Sequence, residues 1–237
     1  MLVGVGVVVC MLGALFAFLW TRNPPVHRAL LVGDSLMYGA QSQISFAFGV
    51  HNVATRFVGG PGTGPLDGNG WWADAVTKEV DQFHPDVVVI EACCNYDAFQ
   101  KNPYVLPTGA HLRADTPQFY DLWTRAAKDL VARASAKGAR VFWVVTPPAD
   151  PTIPSLRTYA ARIQRLNDIY IRLDNVRYVD WARVLAPHGF SYDLKKGHNA
   201  ELKVRDDGLH LTPAGSLLVA GATWNAVAPH IGPFKRS

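Results

Sequence analysis

Five short apolar runs alternate with longer amphipathic stretches, and this alternation constrains the fold more than any other feature of the chain. The apolar runs predict buried strands, at Arg28–Val32, Thr55–Val58, Asp86–Ile90, Arg140–Val145 and Val176–Val179. The amphipathic stretches predict helices, at Leu36–Phe48, Trp71–Phe83, Pro117–Lys137, Ser155–Leu173 and Pro213–Ala228. Crossovers of this length join parallel strands. We therefore predict a three-layer α/β/α fold with a central, mostly parallel sheet of about five strands.

Length and composition narrow the class of protein further. The 237 residues suffice for one sizeable α/β domain. Hydrophobic residues make up 49% of the chain and charged residues 18%, which excludes an intrinsically disordered protein. Lys and Arg number 23 against 19 Asp and Glu, which gives a net charge of +4, and the basic residues are scattered along the sequence. Without a basic stripe, no nucleic-acid partner is expected.

The N-terminal segment has no charged residue from Leu2 to Trp20, which is about the length that crosses a bilayer core. Residues 1–22 are therefore predicted to be a transmembrane anchor or uncleaved signal, 23–25 a linker, and 26–237 the folded domain. A buried core helix is the alternative, but such a helix normally shows a polar face, which this segment lacks. A cleaved signal peptide would have Lys or Arg before the apolar run, and none is present there. The nearest cations, Arg22 and Arg28, follow the segment, so the positive-inside rule alone places the domain in the cytoplasm.

Three loops follow predicted strands and interrupt the regular pattern, at Gly59–Gly70, Lys101–Thr116 and Pro147–Pro154. In an open α/β sheet, loops at the carboxyl ends of the strands form the ligand crevice. The polar stretch Ser191–Asp206 has little apolar periodicity. We expect a surface loop there, with a lid that brings His198 towards the site as the alternative.

A serine lies where the first predicted strand becomes a helix, in the sequence Gly33-Asp34-Ser35-Leu36. This turn would place the Ser35 hydroxyl at the carboxyl edge of the sheet, beside a helix N-terminus that favours a developing anion. Ser or Asp in front of a helix is also the ordinary N-cap, so the turn alone leaves both interpretations open.

An acid and a histidine lie three residues apart just before the last predicted helix, which Pro213 begins. The spacing lets the Asp207 carboxylate reach one ring nitrogen of His210 and orient it, while the other nitrogen faces a nucleophile. A solvated aspartate beside a helix-capping histidine is the alternative. With Ser35, the chain nevertheless contains a candidate nucleophile, base and orienting acid.

Two further features can supply hydrogen-bond donors to an oxyanion. Asn95 follows the predicted strand that ends at Ile90, and its side-chain amide is a potential donor. The glycine-rich sequence Gly59-Gly60-Pro61-Gly62-Thr63-Gly64 can bring a backbone N–H close to a ligand. Each feature alone is more often an ordinary turn.

Taken together, these motifs resemble the SGNH (GDSL-type) hydrolase family over Val26–Ser237. Gly33-Asp34-Ser35 matches the first block of the family, and the glycine-rich loop occupies the second. The third block, usually Gly-x-Asn-Asp, is Cys93-Cys94-Asn95-Tyr96, which keeps the asparagine but not its flanking residues. Asp207-Gly208-Leu209-His210-Leu211-Thr212-Pro213 matches the fifth block closely.

The resemblance implies a flavodoxin-like fold and a role for each candidate residue. Ser35 would be the nucleophile, His210 the base and Asp207 its orienting acid. The oxyanion would be held by the N–H groups of Ser35 and Gly62, with Gly60 as the second choice for the glycine, and by Asn95. No metal or organic cofactor is expected.

The resemblance also implies a substrate class and a location. It favours cleavage or transfer of O-acyl groups, of acetyl or short acyl size, on cell-envelope carbohydrate or glycolipid, with the domain outside the cytoplasm. A catalytically silent domain of the same fold that binds acylated glycans is the alternative, because the third block is altered.

Two pairs of neighbouring residues have open interpretations. Cys93 and Cys94 are expected to be small buried residues, with a strained vicinal disulfide or a metal site as alternatives. Trp71 and Trp72 open a helix beside the glycine-rich loop, where they line an acyl or sugar pocket or pack in the core.

Overall fold

A five-stranded sheet forms the centre of the domain. The computed structural model describes residues 27–67, 70–96, 104–196 and 200–232. The strands are β1 (His27–Gly33), β2 (Val53–Gly59), β3 (Val87–Ile90), β4 (Arg140–Val145) and β5 (Val176–Asp180). They are all parallel and lie in the order β2-β1-β3-β4-β5. The predicted α/β fold and its flavodoxin-like strand order are confirmed.

Helices cover both faces of the sheet. They are α1 (Ser35–Gly49), α2 (Trp71–Phe83), α3 (Pro117–Ser135), α4 (Arg157–Tyr170), α5 (Trp181–Leu185) and α6 (Pro213–Val227), with 3₁₀ turns at Pro154–Leu156 and Ala228–His230. Helices α1, α5 and α6 pack on one face of the sheet. Helices α2 and α3, together with Leu166 and Tyr170 of α4, pack on the other.

Strand β1 shows why the central strands are continuously apolar. Its residues Ala29 and Leu31 pack into the layer of α1 and α6, whereas Leu30 and Val32 pack into the layer of α2 and α3. All four are fully buried. A parallel strand that is covered on both faces has no polar side, so its sequence reads as an unbroken apolar run.

The prediction of a surface loop at Ser191–Asp206 is wrong for part of that stretch. The structure has an antiparallel hairpin there, formed by β6 (Asp193–Lys196) and β7 (Ala200–Lys203). Leu194 and Leu202 face each other and pack against the core, while most other residues of the two strands are polar. One apolar pair is too short a pattern to indicate a strand. His198 lies outside the described residues.

Two smaller differences concern helices. The predicted helix Ser155–Leu173 is a 3₁₀ turn followed by α4, which ends at Tyr170. The five-residue helix α5 was not predicted; its cap is Asp180, which accepts a hydrogen bond from the backbone N–H of Arg183. The predicted anchor and linker, residues 1–25, lie outside the described residues. Among the helices that are described, none has the length and apolarity needed to cross a bilayer.

Glycines allow β1 and β2 to end in close contact. A Cβ on Gly59, whose φ is +122°, would lie 1.9 Å from the carbonyl oxygen of Gly33. That carbonyl accepts a hydrogen bond from the N–H of Gly60 at 3.0 Å. The glycine-rich loop can therefore leave β2 directly beside the end of β1, where Ser35 follows.

We expect Gly59→Ala to lower the free energy of unfolding by about 2 kcal/mol or more, because the new methyl group meets backbone at a positive φ. Urea unfolding of the purified protein measures this. Gly221→Ala in α6 is the control, since a Cβ there has no atom within 4 Å; it should be neutral or stabilising by up to about 1 kcal/mol. Equal stability of the Gly59→Ala variant and the wild type would contradict this account.

Candidate active site

Ser35 is the first residue of α1 and follows a tight turn. A Cβ on Gly33 would lie 2.4 Å from the Cβ of Met37, so only glycine permits α1 to begin so close to β1. The Asp34 carboxylate caps the helix and accepts a hydrogen bond from the N–H of Leu36 at 3.1 Å. Ser35 itself is half-buried. The turn therefore presents its hydroxyl at the carboxyl edge of the sheet, as predicted from the sequence.

The structure brings Ser35, His210 and Asp207 together. His210 Nε2 lies 3.0 Å from Ser35 Oγ, and His210 Nδ1 lies 2.7 Å from Asp207 Oδ2. The second oxygen of Asp207 accepts hydrogen bonds from the N–H groups of Leu209 at 3.0 Å and His210 at 2.8 Å. The imidazole is therefore fixed between a hydroxyl and a carboxylate, an arrangement that can move a proton from Ser35.

Asp207 is built to stay ionised. Partial burial disfavours its charge, but the hydrogen bonds from the ring and backbone of His210 and from Leu209 outweigh burial and lower the pKa of Asp207 to about 2. An ionised carboxylate beside Nδ1 keeps the ring proton on that nitrogen. The lone pair of Nε2 then faces the serine hydroxyl.

Buried polar groups hold the turn that carries Asp207 and His210. Gly208 has a φ of +86°, and its carbonyl accepts a hydrogen bond from the N–H of Asp150 at 2.8 Å. The guanidinium of Arg205, only 1% exposed, donates to the carbonyl of Leu209 at 2.9 Å. Tyr192 donates to the Asp150 carboxylate at 3.0 Å. The loop Pro147–Pro154, predicted to border the crevice, therefore supports the turn that carries Asp207 and His210.

Asn95 lies on a second turn, just after β3, and other elements hold that turn. Arg162 of α4 is fully buried and donates to the carbonyl of Cys94 at 2.7 Å. The same guanidinium forms two hydrogen bonds with Asp115, at 2.8 and 2.6 Å. Tyr170 donates to the carbonyl of Ala92 at 2.8 Å. No sequence motif pointed to these side chains.

The predicted oxyanion donors have no other hydrogen-bond partner among the described residues. Within the described residues, the N–H groups of Ser35 and Gly62 and the side-chain amide of Asn95 donate to no other group. The N–H of Gly60 is already bonded to Gly33. A Cβ on Gly64 would lie 2.8 Å from the Asn95 carbonyl, so the two loops touch. Gly62 is therefore the better candidate of the two glycines.

The structure shows the surroundings of Cys93, Cys94 and Trp72, whose roles the sequence left open. Cys93 and Cys94 are buried free thiols, so the vicinal disulfide is not formed. Cys93 and two carboxylates, Asp34 and Glu91, form the one group in the described chain with three potential metal-ligand atoms within 4.8 Å. Both Asp34 oxygens and one Glu91 oxygen accept backbone N–H groups there. Trp72 is fully buried in the core.

Comparisons with known proteins support the fold assignment. The sequence model of the family described as "Protein of unknown function (DUF459)" matches residues 28–226. No curated protein matches the chain. Among solved structures, a GDSL-like lipase from Bacteroides thetaiotaomicron is similar at 18% identity and a TM-score of 0.59, over 85% of this chain and 88% of that one.

Two other similar structures are domains of acetyltransferases. The periplasmic domain of a lipopolysaccharide acetyltransferase from Salmonella ser. Paratyphi A has 16% identity and a TM-score of 0.56, over 86% of this chain and 83% of that one. The C-terminal catalytic domain of peptidoglycan O-acetyltransferase A from Streptococcus pneumoniae has 13% identity and a TM-score of 0.51, over 86% and 94%. The SGNH hydrolase fold that the sequence motifs predicted is therefore confirmed.

The pair of Arg162 and Asp115 yields a prediction about stability. The Asp115 side chain is 33% exposed, whereas that of Arg162 is fully buried. Asp115→Ala leaves a buried guanidinium without its carboxylate and should lower the free energy of unfolding by about 3 kcal/mol. Arg162→Met should have a smaller effect, since the remaining carboxylate can be hydrated.

Urea unfolding of the two variants checks this order. Asp121→Ala, at an exposed position on α3, is the control and should change stability by less than about 0.5 kcal/mol. A larger loss in Arg162→Met than in Asp115→Ala would contradict the assignment of the buried charge.

Proposed function

This chain belongs to the family described as "Protein of unknown function (DUF459)", and we propose that it is a serine esterase or acyltransferase that acts on O-acyl esters. The observation that carries the proposal is the position of the His210 ring, 3.0 Å from Ser35 Oγ on one side and 2.7 Å from Asp207 on the other. A hydroxyl, an imidazole and a carboxylate in this order are the groups that acyl transfer through a serine requires.

The proposed reaction begins with proton transfer. His210 Nε2 takes the proton of the Ser35 hydroxyl as Oγ attacks the ester carbonyl carbon. When the tetrahedral intermediate collapses, the ester C–O bond breaks and His210 gives the proton to the departing alcohol oxygen. The acyl group is then bound to Ser35. Water or an acceptor hydroxyl, activated by the same histidine, releases it in a second round.

Asp207 would stabilise the positive charge that His210 carries in each half of the reaction. Its low pKa keeps it ionised at neutral pH, so the imidazolium always has a charged partner. The free N–H groups of Ser35 and Gly62 and the amide of Asn95 would bind the oxyanion of the tetrahedral intermediate. Such donors are strongest when they are fixed in place before the charge develops.

We propose O-acyl groups on cell-envelope carbohydrate or glycolipid as the substrate, with acetyl or another short acyl chain. The support comes from two structural neighbours, named as a lipopolysaccharide acetyltransferase and a peptidoglycan O-acetyltransferase. The domain would accordingly lie outside the cytoplasm. The uncharged segment from Leu2 to Trp20 would anchor it to the membrane.

A fluorophosphonate probe tests the nucleophile. The purified full-length protein should be labelled, Ser35→Ala should not, and His210→Ala should be labelled about 10²–10⁴-fold more slowly because the general base is lost. Ser135→Ala, at the end of α3, is the control and should be labelled at the wild-type rate. The same four proteins, incubated with O-acetylated envelope glycans, should release acetate in the same order.

A folded wild-type protein that is never labelled would contradict the proposal. It would favour the alternative, a silent domain that binds acylated glycans. The altered third block, in which Cys93 and Tyr96 replace the usual Gly and Asp, is the feature that supports this alternative. Binding of acetylated but not deacetylated glycan by the Ser35→Ala variant would then identify it.

The location has its own test. A reporter that is active only outside the cytoplasm, fused after Ser237, should be active in cells that produce the full-length chain. The matched fusion that lacks residues 2–20 should be inactive, since the segment that directs the chain to the membrane is gone. Activity of a cytoplasmic reporter at the same position would overturn the proposed orientation.

A further inference from the structure

Two buried carboxyl groups lie beneath the nucleophile turn, and the proposed mechanism does not use them. Asp34 is 1% exposed and Glu91 is fully buried. Asp34 follows β1 and Glu91 follows β3, so each lies at the carboxyl end of a central strand. One side-chain oxygen of each lies within 4.8 Å of the other, and Glu91 Oε1 has no hydrogen-bond partner among the described residues. The pair therefore joins the two strands at the point where Ser35 and Asn95 emerge.

The two carboxyl groups together accept four backbone N–H groups. Asp34 accepts those of Leu36 at 3.1 Å and Cys93 at 2.9 Å. Glu91 Oε2 accepts those of Asp34 and Met37, both at 3.3 Å. At the start of α1, these bonds occupy the N–H groups on either side of Ser35 and leave that of Ser35 free. On the other side, they fix the strand end that leads to Asn95.

Burial and the surrounding groups disfavour a second negative charge on this pair. The titratable groups that face the two carboxyls are Cys93, Cys94, Tyr170 and, on the side of Asp34, His210. Neither carboxyl has an ion pair with a cation among the described residues. Burial, and then the charge of Asp34, raise the pKa of Glu91 well above its usual value. The raised pKa favours the protonated form of Glu91, whose O–H can donate a hydrogen bond to Asp34.

We propose that Glu91 is a positioning residue that, through one proton shared with Asp34, holds the Ser35 turn and the Asn95 turn in register. The proposal rests on the proposed esterase or acyltransferase function, because its consequence is the alignment of the nucleophile with the oxyanion donors. A neutral carboxylic acid suits this place, since it donates to Asp34 and still accepts two N–H groups. A second carboxylate would repel Asp34 and oppose an oxyanion above it.

Substitution of Glu91 by glutamine and by leucine distinguishes a hydrogen-bonding role of the side chain from a role that only fills space. The amide of Glu91→Gln can donate to Asp34 and accept both N–H groups, so kcat should stay within about threefold of the wild-type value. Glu91→Leu fills the space but offers no polar atom. It should lower kcat about 100-fold with KM within about threefold, because misplacement of reacting groups by about 1 Å has an effect of this size.

Stability as a function of pH tests the proton itself. The folded protein binds a proton at Glu91 that the unfolded chain releases above the usual carboxyl pKa, so the unfolding constant of the wild type should rise with pH. Relative to Glu91→Gln, this rise should approach about tenfold per pH unit above the ordinary carboxyl pKa, one proton being released on unfolding, and should end where Glu91 ionises in the folded protein. Glu79→Gln, at a partly exposed glutamate on α2, is the control. Its unfolding constant should depend on pH in the same way as that of the wild type.

Each outcome decides the proposal. Parallel pH curves for wild type and Glu91→Gln would mean that Glu91 is ionised in the folded protein, and would overturn it. Equal impairment of kcat in the Gln and Leu variants, or full activity of Glu91→Leu, would also overturn it. If Glu91→Leu does not fold, the Gln variant and the pH curves still decide. If the wild type is inactive on every ester and is never labelled, the proposed function fails, while the pH curves test the shared proton independently.

Discussion

Strands β1 and β3 lie side by side at the centre of the sheet, and the arrangement of the site depends on that adjacency. From β1 the chain crosses outward to β2, whereas from β3 it crosses the other way to β4 and β5. The connections that leave the two central strands therefore diverge, which opens a crevice at their carboxyl ends. Ser35 enters it from β1 and Asn95 from β3. No other pair of neighbouring strands in this sheet order offers such a gap.

Buried polar side chains are concentrated at this edge of an otherwise apolar core. Asp34, Glu91, Arg162 and Arg205 are each at most 1% exposed, and each bonds to the backbone of a turn that carries a candidate site residue or leads to one. Loops there lack the hydrogen-bond ladder that holds the strands, so other groups must satisfy and fix their backbone. Such groups are demanding to bury, because each needs partners to replace water. The bonds therefore tie these turns to the core.

The sequence was sufficient to predict what depends on local pattern. The strands were found because burial on both faces makes them apolar throughout, and Ser35, Asp207 and His210 because each lies in a turn of distinctive composition next to a helix start. The hairpin of β6 and β7 was not predicted, because its apolar pattern consists only of Leu194 and Leu202. Long-range partners such as Arg162 and Cys94, 68 residues apart, leave no signal in spacing. Glu91 had one possible signal, a lone acid at the end of an apolar strand.

The altered third block changes the contacts that hold the Asn95 turn, but it keeps the side-chain amide that the turn presents. Cys93 replaces glycine, but its N–H is bonded to Asp34 and its side chain is buried in the core. Tyr96 replaces aspartate; its hydroxyl donates to the carbonyl of Leu112 at 2.9 Å, and its ring meets that of Phe119 edge to face. Asn95 thus stands between two buried anchors. Because neither anchor uses the Asn95 amide, that amide stays available as a hydrogen-bond donor, and the departures from the family pattern are compatible with an active enzyme.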